Sequence, residues 1–142
     1  MEIEYSDARK PSMDEVLALY RTVRWSSADK PTALHQGLLA SHSLVTAWRH
    51  ELLVGLGNAI SDGHLVAYFP HLVVHSEYQG RGIGTGLVHR LMARYRGFHQ
   101  QVLLADGRAV DFYKKVGFVR AGSTEPLWIF DGHEHDCEQP GR

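Results

Sequence analysis

Three features that are scarce or missing in the sequence each exclude a class of protein. Cys137 is the only cysteine, which excludes an intramolecular disulfide and a cysteine-rich zinc site. No 18 consecutive residues are apolar, so neither a membrane-spanning helix nor a membrane partner is expected. Fifteen Lys and Arg residues stand against sixteen Asp and Glu residues, and the resulting net charge of −1 argues against a nucleic-acid partner.

What the sequence does contain fits one globular domain. Of its 142 residues, 44% are hydrophobic and 22% are charged, close to the averages of globular proteins. The segment from Met1 to Tyr5 carries acidic side chains instead of the basic and apolar regions of a signal peptide, so we expect a cytoplasmic protein. Because residues 131–142 are polar, we expect a single domain over residues 1–130 and a polar C-terminal tail over residues 131–142.

Apolar periodicity predicts a mixture of strands and helices. The predicted strands cover residues 3–5, 44–48, 52–60, 65–74, 102–105 and 127–130. The predicted helices cover residues 12–23, 29–38, 84–95 and 106–116. This order favours an α/β or α+β fold in which a mixed sheet has helices on both faces.

Short local patterns refine these predictions. Ser12 is followed three residues later by Glu15, which is the spacing of a capping box at a helix start. Asp62-Gly63 is the strongest hairpin signal in the chain. Pro70 lies inside the predicted strand 65–74, where a residue without an N–H interrupts a central ladder. We therefore predict a bulge in that strand.

The most informative segment is rich in glycine and joins a predicted strand to a predicted helix. Glycines occupy positions 80, 82 and 84, and Arg81 lies between them. Unpaired N–H groups and the dipole at a helix start attract anions, and glycine lets the backbone approach a phosphate closely. The segment matches neither the G-x-G-x-x-G dinucleotide pattern nor the Gly-Lys-Ser/Thr ending of a P-loop.

Two signatures in the sequence resemble one enzyme family. Gln79-x-x-Gly82-x-Gly84 matches the pyrophosphate loop of the GCN5-related N-acetyltransferase (GNAT) superfamily. Further along, the chain reads Asp106-x-x-Ala109-x-x-Phe112-Tyr113-x-x-x-Gly117-Phe118. This resembles the family's second signature, which usually begins with Asn where Asp106 stands here. The layout of residues 3 to 130 is similar to a small bacterial branch of the family.

The resemblance implies a fold and a cosubstrate. The implied fold is a GNAT-type, mostly antiparallel sheet of about six to seven strands, with a bulged and splayed central strand and four helices on both faces. The implied cosubstrate is acetyl-CoA. The residues that the resemblance places against it are Leu72, Val73, Val74, Gln79, Gly80, Arg81, Gly82, Ile83, Gly84, Thr85, Asp106 and Tyr113.

Acetyl transfer from a thioester to an amine needs protons to move at both ends of the reaction. A lysine-like amine with a pKa of about 10.4 is neutral in only about one molecule in 10³ at pH 7. The tetrahedral oxyanion needs fixed donors, and the thiolate leaves more easily when it receives a proton. The resemblance makes Tyr113 the general acid at the sulfur and gives the oxyanion a backbone N–H from Val73 or Val74. The alternative for Tyr113 is a purely structural aromatic on a helix face.

The general base has a weaker signal. The family often uses a Glu on the strand before the glycine-rich loop, but residues 68–72 contain no carboxylate. His71 titrates in the required range and is the candidate base. The alternatives are that His71 is only a partly buried strand residue, or that the amine attacks when already neutral and loses its proton to water.

Two further residues are candidates for binding the acceptor amine. Trp25 lies between the first two helices, a connector that lines the acceptor side in this family, and it either stacks on the acceptor or packs over the core. Asp62 either attracts a cationic acceptor or only forms the hairpin turn. The segment 133–137 contains two His, one Glu, one Asp and one Cys, but it lacks the spacing of a metalloprotease site, and no metal site is predicted.

These observations predict an acetyl-CoA-dependent N-acetyltransferase that acts on a primary amine of a small molecule by direct attack in a ternary complex. One alternative is a non-catalytic module that binds acetyl-CoA or CoA. The other is a protein or peptide N-acetyltransferase. The resemblance also suggests a homodimer, although the sequence fixes neither the oligomeric state nor the acceptor.

Overall fold

A computed structural model describes residues 1–133 of the chain. Its strands are β1 (Glu4–Ser6), β2 (Ser43–Arg49), β3 (Leu52–Ser61), β4 (Val66–Tyr68), β5 (Leu72–Val74) and β6 (Gln100–Val102). Its α-helices are α1 (Met13–Val23), α2 (Pro31–Leu39), α3 (Ile83–Ala93) and α4 (Val110–Lys115). Two short 3₁₀ turns, Ser26–Asp29 and Ser76–Tyr78, follow α1 and β5.

The six strands form one mixed sheet in the order β1-β2-β3-β4-β6, with β5 paired to β3 as well. β3 is long enough to pair with β5 through residues 55–57 and with β4 through Ile60 and Ser61. All pairs are antiparallel except β4 with β6. The predicted fold class, a mostly antiparallel mixed sheet with four helices, is confirmed.

Helices cover both faces of the sheet, and each face has its own buried cluster. On one face, α1 and α2 bury apolar side chains that include Tyr20 and Leu34. On the other face, α3 buries side chains that include Leu87 and Leu91. Burial of this apolar surface is the main force that holds the helices on the sheet.

The first two helices begin where the sequence predicts. The Ser12 Oγ accepts a hydrogen bond from the Glu15 N–H at 3.1 Å, and the Glu15 Oε1 accepts one from the Ser12 N–H at 2.9 Å. Pro31 is the first residue of α2, where its missing N–H leaves no bond unmade. The capping box and the proline start are therefore confirmed.

The predicted strand 65–74 is two strands, and the bulge expected at Pro70 is a complete break. β4 ends at Tyr68 and pairs with β6, whereas β5 starts at Leu72 and pairs with β3. The His71 N–H, next to the proline, bonds to the Asn58 Oδ1 at 3.0 Å. The break forms because proline offers the ladder no donor and a side chain replaces the backbone partner.

Two predicted boundaries beyond α3 are corrected. β6 covers Gln100–Val102 instead of residues 102–105, because pairing with β4 ends at Val102. α4 begins at Val110, later than the predicted start at Asp106. The residues before α4 form a separate turn, in which the Asp106 carbonyl accepts a hydrogen bond from the Ala109 N–H at 2.7 Å.

The predicted strand at residues 127–130 is wrong, since these residues belong to no strand of the described structure. Leu127 and Ile129 are almost fully exposed, and the rings of Trp128 and Phe130 stack with centroids 4.5 Å apart. No described strand pairs with this segment. Instead Asp131 forms an ion pair with Lys30 at 2.7 Å, which draws the segment toward the start of α2.

Two expectations concern the chain as a whole. No helix in residues 1–133 is long and apolar enough to cross a membrane. Within the same range, no three side chains of His, Cys, Asp or Glu lie together as a metal site would require. Cys137 and most of the tail expected over residues 131–142 lie outside the described residues.

Candidate active site

β5 and β6 do not pair with each other in residues 1–133, and we call the unpaired space between them the slot. The Phe69 N–H still donates to the Val102 carbonyl at 3.0 Å, which extends the β4–β6 pairing by one residue. Beyond that point β5 pairs with β3 alone among the described strands. The structure thus shows the splayed central strand that the sequence predicted.

Alternation along β5 decides which backbone groups face the slot. The His75 N–H donates to the Val54 carbonyl at 2.9 Å, and hydrogen-bonded pairs recur at every second residue of an antiparallel ladder. Val73 therefore directs its backbone groups toward β3. Leu72 and Val74 direct theirs away from β3, into the slot.

The glycine-rich turn forms the start of α3 at one end of this slot. Gly80 and Gly82 have φ values of +76° and +83°, a region that favours glycine. Gly82 is the N-cap of α3, and its carbonyl accepts the Gly86 N–H at 3.0 Å. The N–H groups of residues 83–85 lie in the first turn, so they have no partner within the helix and point out of its end.

Two side chains of the turn have their own partners. The Gln79 Nε2 donates to the Val74 carbonyl at 3.1 Å and so ties the loop to the end of β5. The Arg81 guanidinium lies 5.3 Å from the centre of the Tyr78 ring, a cation–π contact beside the helix start. Both side chains are on exposed residues, which leaves a positive group available next to the anion-attracting amides.

α4 packs directly on the glycine-rich turn. A Cβ added at Gly84 would lie 3.5 Å from the Phe112 Cζ and 3.7 Å from the Val74 Cγ2. The first signature, the end of β5 and the second signature therefore meet at one place. A methyl group at position 84 would be in ordinary van der Waals contact with the Phe112 ring, so α3 and α4 lie close together here.

Tyr113 follows Phe112 on α4 and is half-buried. The Tyr113 ring centre lies 5.9 Å from that of Phe118, which in turn lies 6.2 Å from that of Phe69. Desolvation in this aromatic environment raises the pKa of Tyr113 to about 12. The phenol therefore keeps its proton at neutral pH and acts as a hydrogen-bond donor.

Asp106 holds the turn before α4. Its Oδ1 accepts a hydrogen bond from the Arg108 N–H at 3.1 Å. The structure thus gives Asp106 a capping function in a turn, where the sequence predicted a helix cap. Its predicted contact with the cofactor stays a prediction.

His71, Tyr20 and Trp25 form an aromatic group that we call the ring cluster. The Tyr20 hydroxyl lies 2.7 Å from the His71 Nδ1. The Trp25 ring stands edge-on to both, with centroids 5.9 Å from Tyr20 and 5.2 Å from His71. Trp25 is only partly buried and packs against the core of α1 and α2, which supports the packing alternative for this residue.

A cavity of about 280 Å³ lies between α2 and the β4–β5 break, and His71 is in its wall. Its apolar lining includes Leu34, Leu38 and Ile60, and its polar lining includes Ser27 and Lys30. The Ser27 Oγ is buried and has no hydrogen-bond partner among the described residues. This cavity is shallow and open to solvent, with mostly aliphatic walls and a few polar groups.

Asp62 lies at the hairpin tip and not in the wall of this cavity. Its Oδ1 accepts hydrogen bonds from the N–H groups of His64, Leu65 and Val66 at 2.9, 2.8 and 3.2 Å. These bonds lower the pKa of Asp62 to about 2. The geometry supports the turn alternative for Asp62 over acceptor binding.

Sequence reasoning missed two residues of this region. Tyr20 fits the apolar stripe of the first helix, and only the fold brings its hydroxyl to His71. Asn58 lies within an apolar strand, and its Nδ2 donates to the Ser41 Oγ at 3.0 Å while its Oδ1 holds the β4–β5 break. A polar amide in an otherwise apolar strand is the signal that identifies Asn58 as a bridging residue.

Comparison with known proteins agrees with this geometry. A family profile described as "Acetyltransferase (GNAT) domain" matches residues 9–129. The "Uncharacterized N-acetyltransferase ycf52" of Gracilaria tenuistipitata var. liui is 33% identical over 73 residues, which are 50% of this chain and 40% of that protein. The "GCN5-related N-acetyltransferase 2, chloroplastic" of Arabidopsis thaliana is 38% identical over 72 residues, which are 49% of this chain and 28% of that protein. The match spans less than half of either relative.

Solved structures match over more of the chain. A GNAT family acetyltransferase from Streptococcus pneumoniae TIGR4 superposes with a TM-score of 0.75 at 27% identity, covering 91% of this chain and 97% of that one. A probable acetyltransferase from meticillin-resistant Staphylococcus aureus gives a TM-score of 0.78 at 22% identity, covering 92% and 100%. At 22% identity, the match to the Staphylococcus aureus protein shows a similar fold.

Proposed function

We propose that this chain, which belongs to the GNAT acetyltransferase family, transfers the acetyl group of acetyl-CoA to an amine of a small molecule. The observation that carries the proposal is the meeting of the glycine-rich turn, the end of β5 and α4 beside the splayed strands. The cavity next to His71 supplies a separate place for the acceptor. Two adjoining sites suit direct attack in a ternary complex.

The residues around the glycine-rich turn fit a diphosphate. Gly80 and Gly82 adopt positive φ, and among the described residues, apart from chain neighbours, no atom lies within 4 Å of where a Cβ would stand at either position. The N–H groups of residues 83–85 and the α3 dipole supply the anion site, and Arg81 adds charge. Acetyl-CoA, when bound, supplies the activated acetyl group as a thioester.

Backbone amides of β5 suit the developing oxyanion. Of the two residues that the resemblance implies, Val74 faces the slot and Val73 faces β3, so the donor that we propose is the Val74 N–H. The Leu72 N–H faces the same side and is a second donor along the slot. Fixed backbone donors stabilise an oxyanion without reorganising during the reaction.

Tyr113 is the proposed donor to the departing sulfur. With a pKa of about 12 its phenol is a weaker acid than a thiol, whose pKa is about 8.5. Tyr113 therefore contributes a hydrogen bond that stabilises the negative charge on the sulfur as the C–S bond breaks. Transfer of the phenol proton to the sulfur follows in the bound complex.

The proton of the attacking amine has two candidate destinations. One is the imidazole of His71, which lies in the cavity wall. The other is water, if the amine enters the cavity in its neutral form. The Tyr20 hydroxyl lies within hydrogen-bond distance of the His71 Nδ1, so the ability of His71 to accept a proton depends on Tyr20.

Replacing Tyr113 tests the proposal. Tyr113→Phe should lower turnover about 10–10³-fold and leave acetyl-CoA binding unchanged, because only the donor to the transition state is lost. Release of free CoA in the presence of an amine panel measures turnover, and calorimetry measures binding. Tyr95→Phe is the control and should retain turnover, because the Tyr95 hydroxyl lies 2.8 Å from the His42 Nδ1, beyond the C-terminal end of α3.

Three outcomes separate the alternatives. CoA binding without acetylation of any amine indicates a binding module. Acetylation of peptides but of no small amine indicates a peptide N-acetyltransferase. Unchanged turnover in Tyr113→Phe removes Tyr113 from the mechanism.

A further inference from the structure

We propose that Lys30 determines the acceptor specificity of the cavity beside α2, because its ammonium group binds a carboxylate of the acceptor amine. The inference deepens the proposed function and rests on it for the meaning of the cavity. It names the acceptor class as a small amino acid, which is a molecule with one amine, one carboxylate and an apolar carbon skeleton.

The first observation is the fixed charge of the cavity wall. Among the lining residues in the described part of the chain, Lys30 is the only lysine or arginine, and none is Asp or Glu. An acceptor in the cavity therefore lies against one positive charge. A single carboxylate matches that charge, whereas a phosphate monoester carries more negative charge and a polyamine adds further positive charge.

The second observation is that a carboxylate already lies on Lys30. The Asp131 Oδ2 is 2.7 Å from the Lys30 Nζ, and this contact lowers the pKa of Asp131 below its ordinary value. The two side chains are 57% and 90% exposed, and exposed ion pairs contribute little to stability, so a ligand carboxylate can replace Asp131. The carboxylate of the neighbouring Asp29 lies 3.3 Å from the His133 Nε2. Asp131 therefore marks where a carboxylate binds Lys30, and it competes with the acceptor.

The third observation is a buried hydroxyl beside Lys30. The Ser27 Oγ has no hydrogen-bond partner in residues 1–133, although buried hydroxyls in folded proteins nearly always have one. Ser27 lies in the 3₁₀ turn Ser26–Asp29, and the Lys30 N–H donates to the Ser27 carbonyl at 3.1 Å, which fixes the two residues next to each other. Both residues line the cavity. The Ser27 hydroxyl is therefore a second donor for the carboxylate.

The rest of the cavity wall suits an apolar skeleton. Leu34 and Leu38 line it from α2, and Ile60 lines it from β3. Aliphatic carbon that leaves water against such side chains is stabilised by the hydrophobic effect. The volume of about 280 Å³ is near the lower end of the range for small-molecule sites, roughly 300–1,000 Å³. The cavity therefore suits a molecule of the size of a single amino acid.

Matched acceptors test the predicted class. The compounds ε-aminocaproate, hexylamine and hexamethylenediamine share a six-carbon chain and differ at the end away from the reacting amine. Leucine and isoamylamine form a second pair, in which the carboxylate lies beside the amine. In at least one of these two sets, the carboxylate-bearing acceptor should have a kcat/KM about tenfold or more above that of its matched amine, and salt should reduce this preference. No such preference in either set, or preference for the diamine, overturns the proposal.

Two variants separate carboxylate binding from a structural role of the ion pair. Lys30→Met and Asp131→Asn both lose the ion pair, so a purely structural role predicts changes in the same direction. We expect opposite changes in the preference for the carboxylate, measured as the ratio of the two kcat/KM values: a fall of about tenfold in Lys30→Met, mainly through KM, and a rise of about two- to threefold in Asp131→Asn. Lys10→Met, at an exposed lysine before α1, is the matched control and should leave the ratio unchanged. Changes in the same direction in the first two variants overturn the proposal.

Equilibrium binding tests Lys30 without acetyl transfer. N-acetylleucine and N-acetyl-ε-aminocaproate carry the carboxylate but no reacting amine, and N-isoamylacetamide and N-hexylacetamide are their neutral counterparts. Calorimetry with the full chain and CoA should show tighter binding of a carboxylate than of its counterpart, and Lys30→Met should lose about tenfold of that affinity. Equal binding of carboxylate and neutral amide in both pairs overturns the proposal. Failure to acetylate any amine, with the carboxylate preference in binding intact, counts against the proposed function alone.

Discussion

At the residue scale, burial and backbone hydrogen bonds set the protonation of the titratable groups in opposite ways. Burial raises the pKa of Tyr20 and of Tyr113, so both phenols remain donors at neutral pH. Three backbone N–H groups lower the pKa of the exposed Asp62, so that carboxylate stays ionised. The difference arises because desolvation disfavours a charge and hydrogen bonds to the charged form favour it.

Asp62 gives a pH-dependent prediction. Its pKa in the folded protein, about 2, lies below its ordinary value of about 3.9, so its stabilising effect is complete above the ordinary value and is lost as the pH falls toward 2. Asp62→Ala should therefore lower Tm at pH 7, and the difference from wild type should shrink over pH 4 to 2. Thermal melts across that range measure it, with Asp7→Ala as a control on an exposed loop residue. A difference independent of pH would contradict the assignment.

Gly82 gives a prediction about binding. Valine is strained at the φ of +83° that Gly82 adopts, and its side chain would cover the α3 amides, so Gly82→Val should abolish CoA binding. Gly97 has the same φ and equally open surroundings but follows α3 at its other end. Gly97→Val should cost comparable stability and retain CoA binding, as measured by calorimetry. Tight CoA binding by Gly82→Val would remove the turn from the site.

At the element scale, the decisive feature is the break between β4 and β5. The predicted strand 65–74 is two strands with different partners, because β4 pairs with β6 whereas β5 pairs with β3. The break places His71 beside the cavity and directs the Val74 N–H into the slot. Asn58 bridges the break from β3 and replaces the backbone partner that the ladder loses.

Asn58→Ala tests this bridge. The variant leaves the half-buried His71 N–H without its acceptor, so the free energy of unfolding should fall by about 1–3 kcal/mol. Ser41→Ala removes the bond on the other side of the Asn58 amide and the bond from the Ser41 Oγ to the Gly37 carbonyl, but leaves the His71 N–H with its acceptor, and should cost less, about 1 kcal/mol. Urea denaturation measures both. Equal losses of unfolding free energy would show that the hydrogen bond between Asn58 and the His71 N–H adds no stability of its own.

At the scale of the whole molecule, the proposed site lies where β5 and β6 are unpaired, between the helices of the two faces. α1 supplies Tyr20 and α2 lines the cavity on one face, whereas the glycine-rich turn leads into α3 on the other face and α4 carries Tyr113. Ligands that bind across such a junction hold the two layers together. The predicted homodimer stays a prediction.

Ligand linkage gives the corresponding prediction. Acetyl-CoA at about 100 times its Kd should stabilise the fold by about 2.7 kcal/mol, which raises Tm by roughly 5–10 °C for a domain of this size. A thermal-shift titration measures the rise, and Gly82→Val should show none. No shift in the wild type at saturating acetyl-CoA would contradict the proposed site.

The sequence by itself determined the local elements and the two signatures. The capping box at Ser12, the proline start of α2 and the glycines at 80 and 82 depend on interactions between near neighbours, and patterns over a few residues report those interactions. Boundaries failed where a distant partner decides them, as at residues 127–130, an apolar run that pairs with no strand in residues 1–133.

Only the tertiary structure decided how the site is assembled. Tyr20 and His71 are 51 positions apart, and no local pattern indicates that one hydroxyl meets one ring nitrogen. The same holds for the side of β5 that faces the slot, which pairing with β3 sets. Hydrogen bonds and burial depend on what the folded chain brings within a few ångströms, and that proximity arises only when the whole core packs.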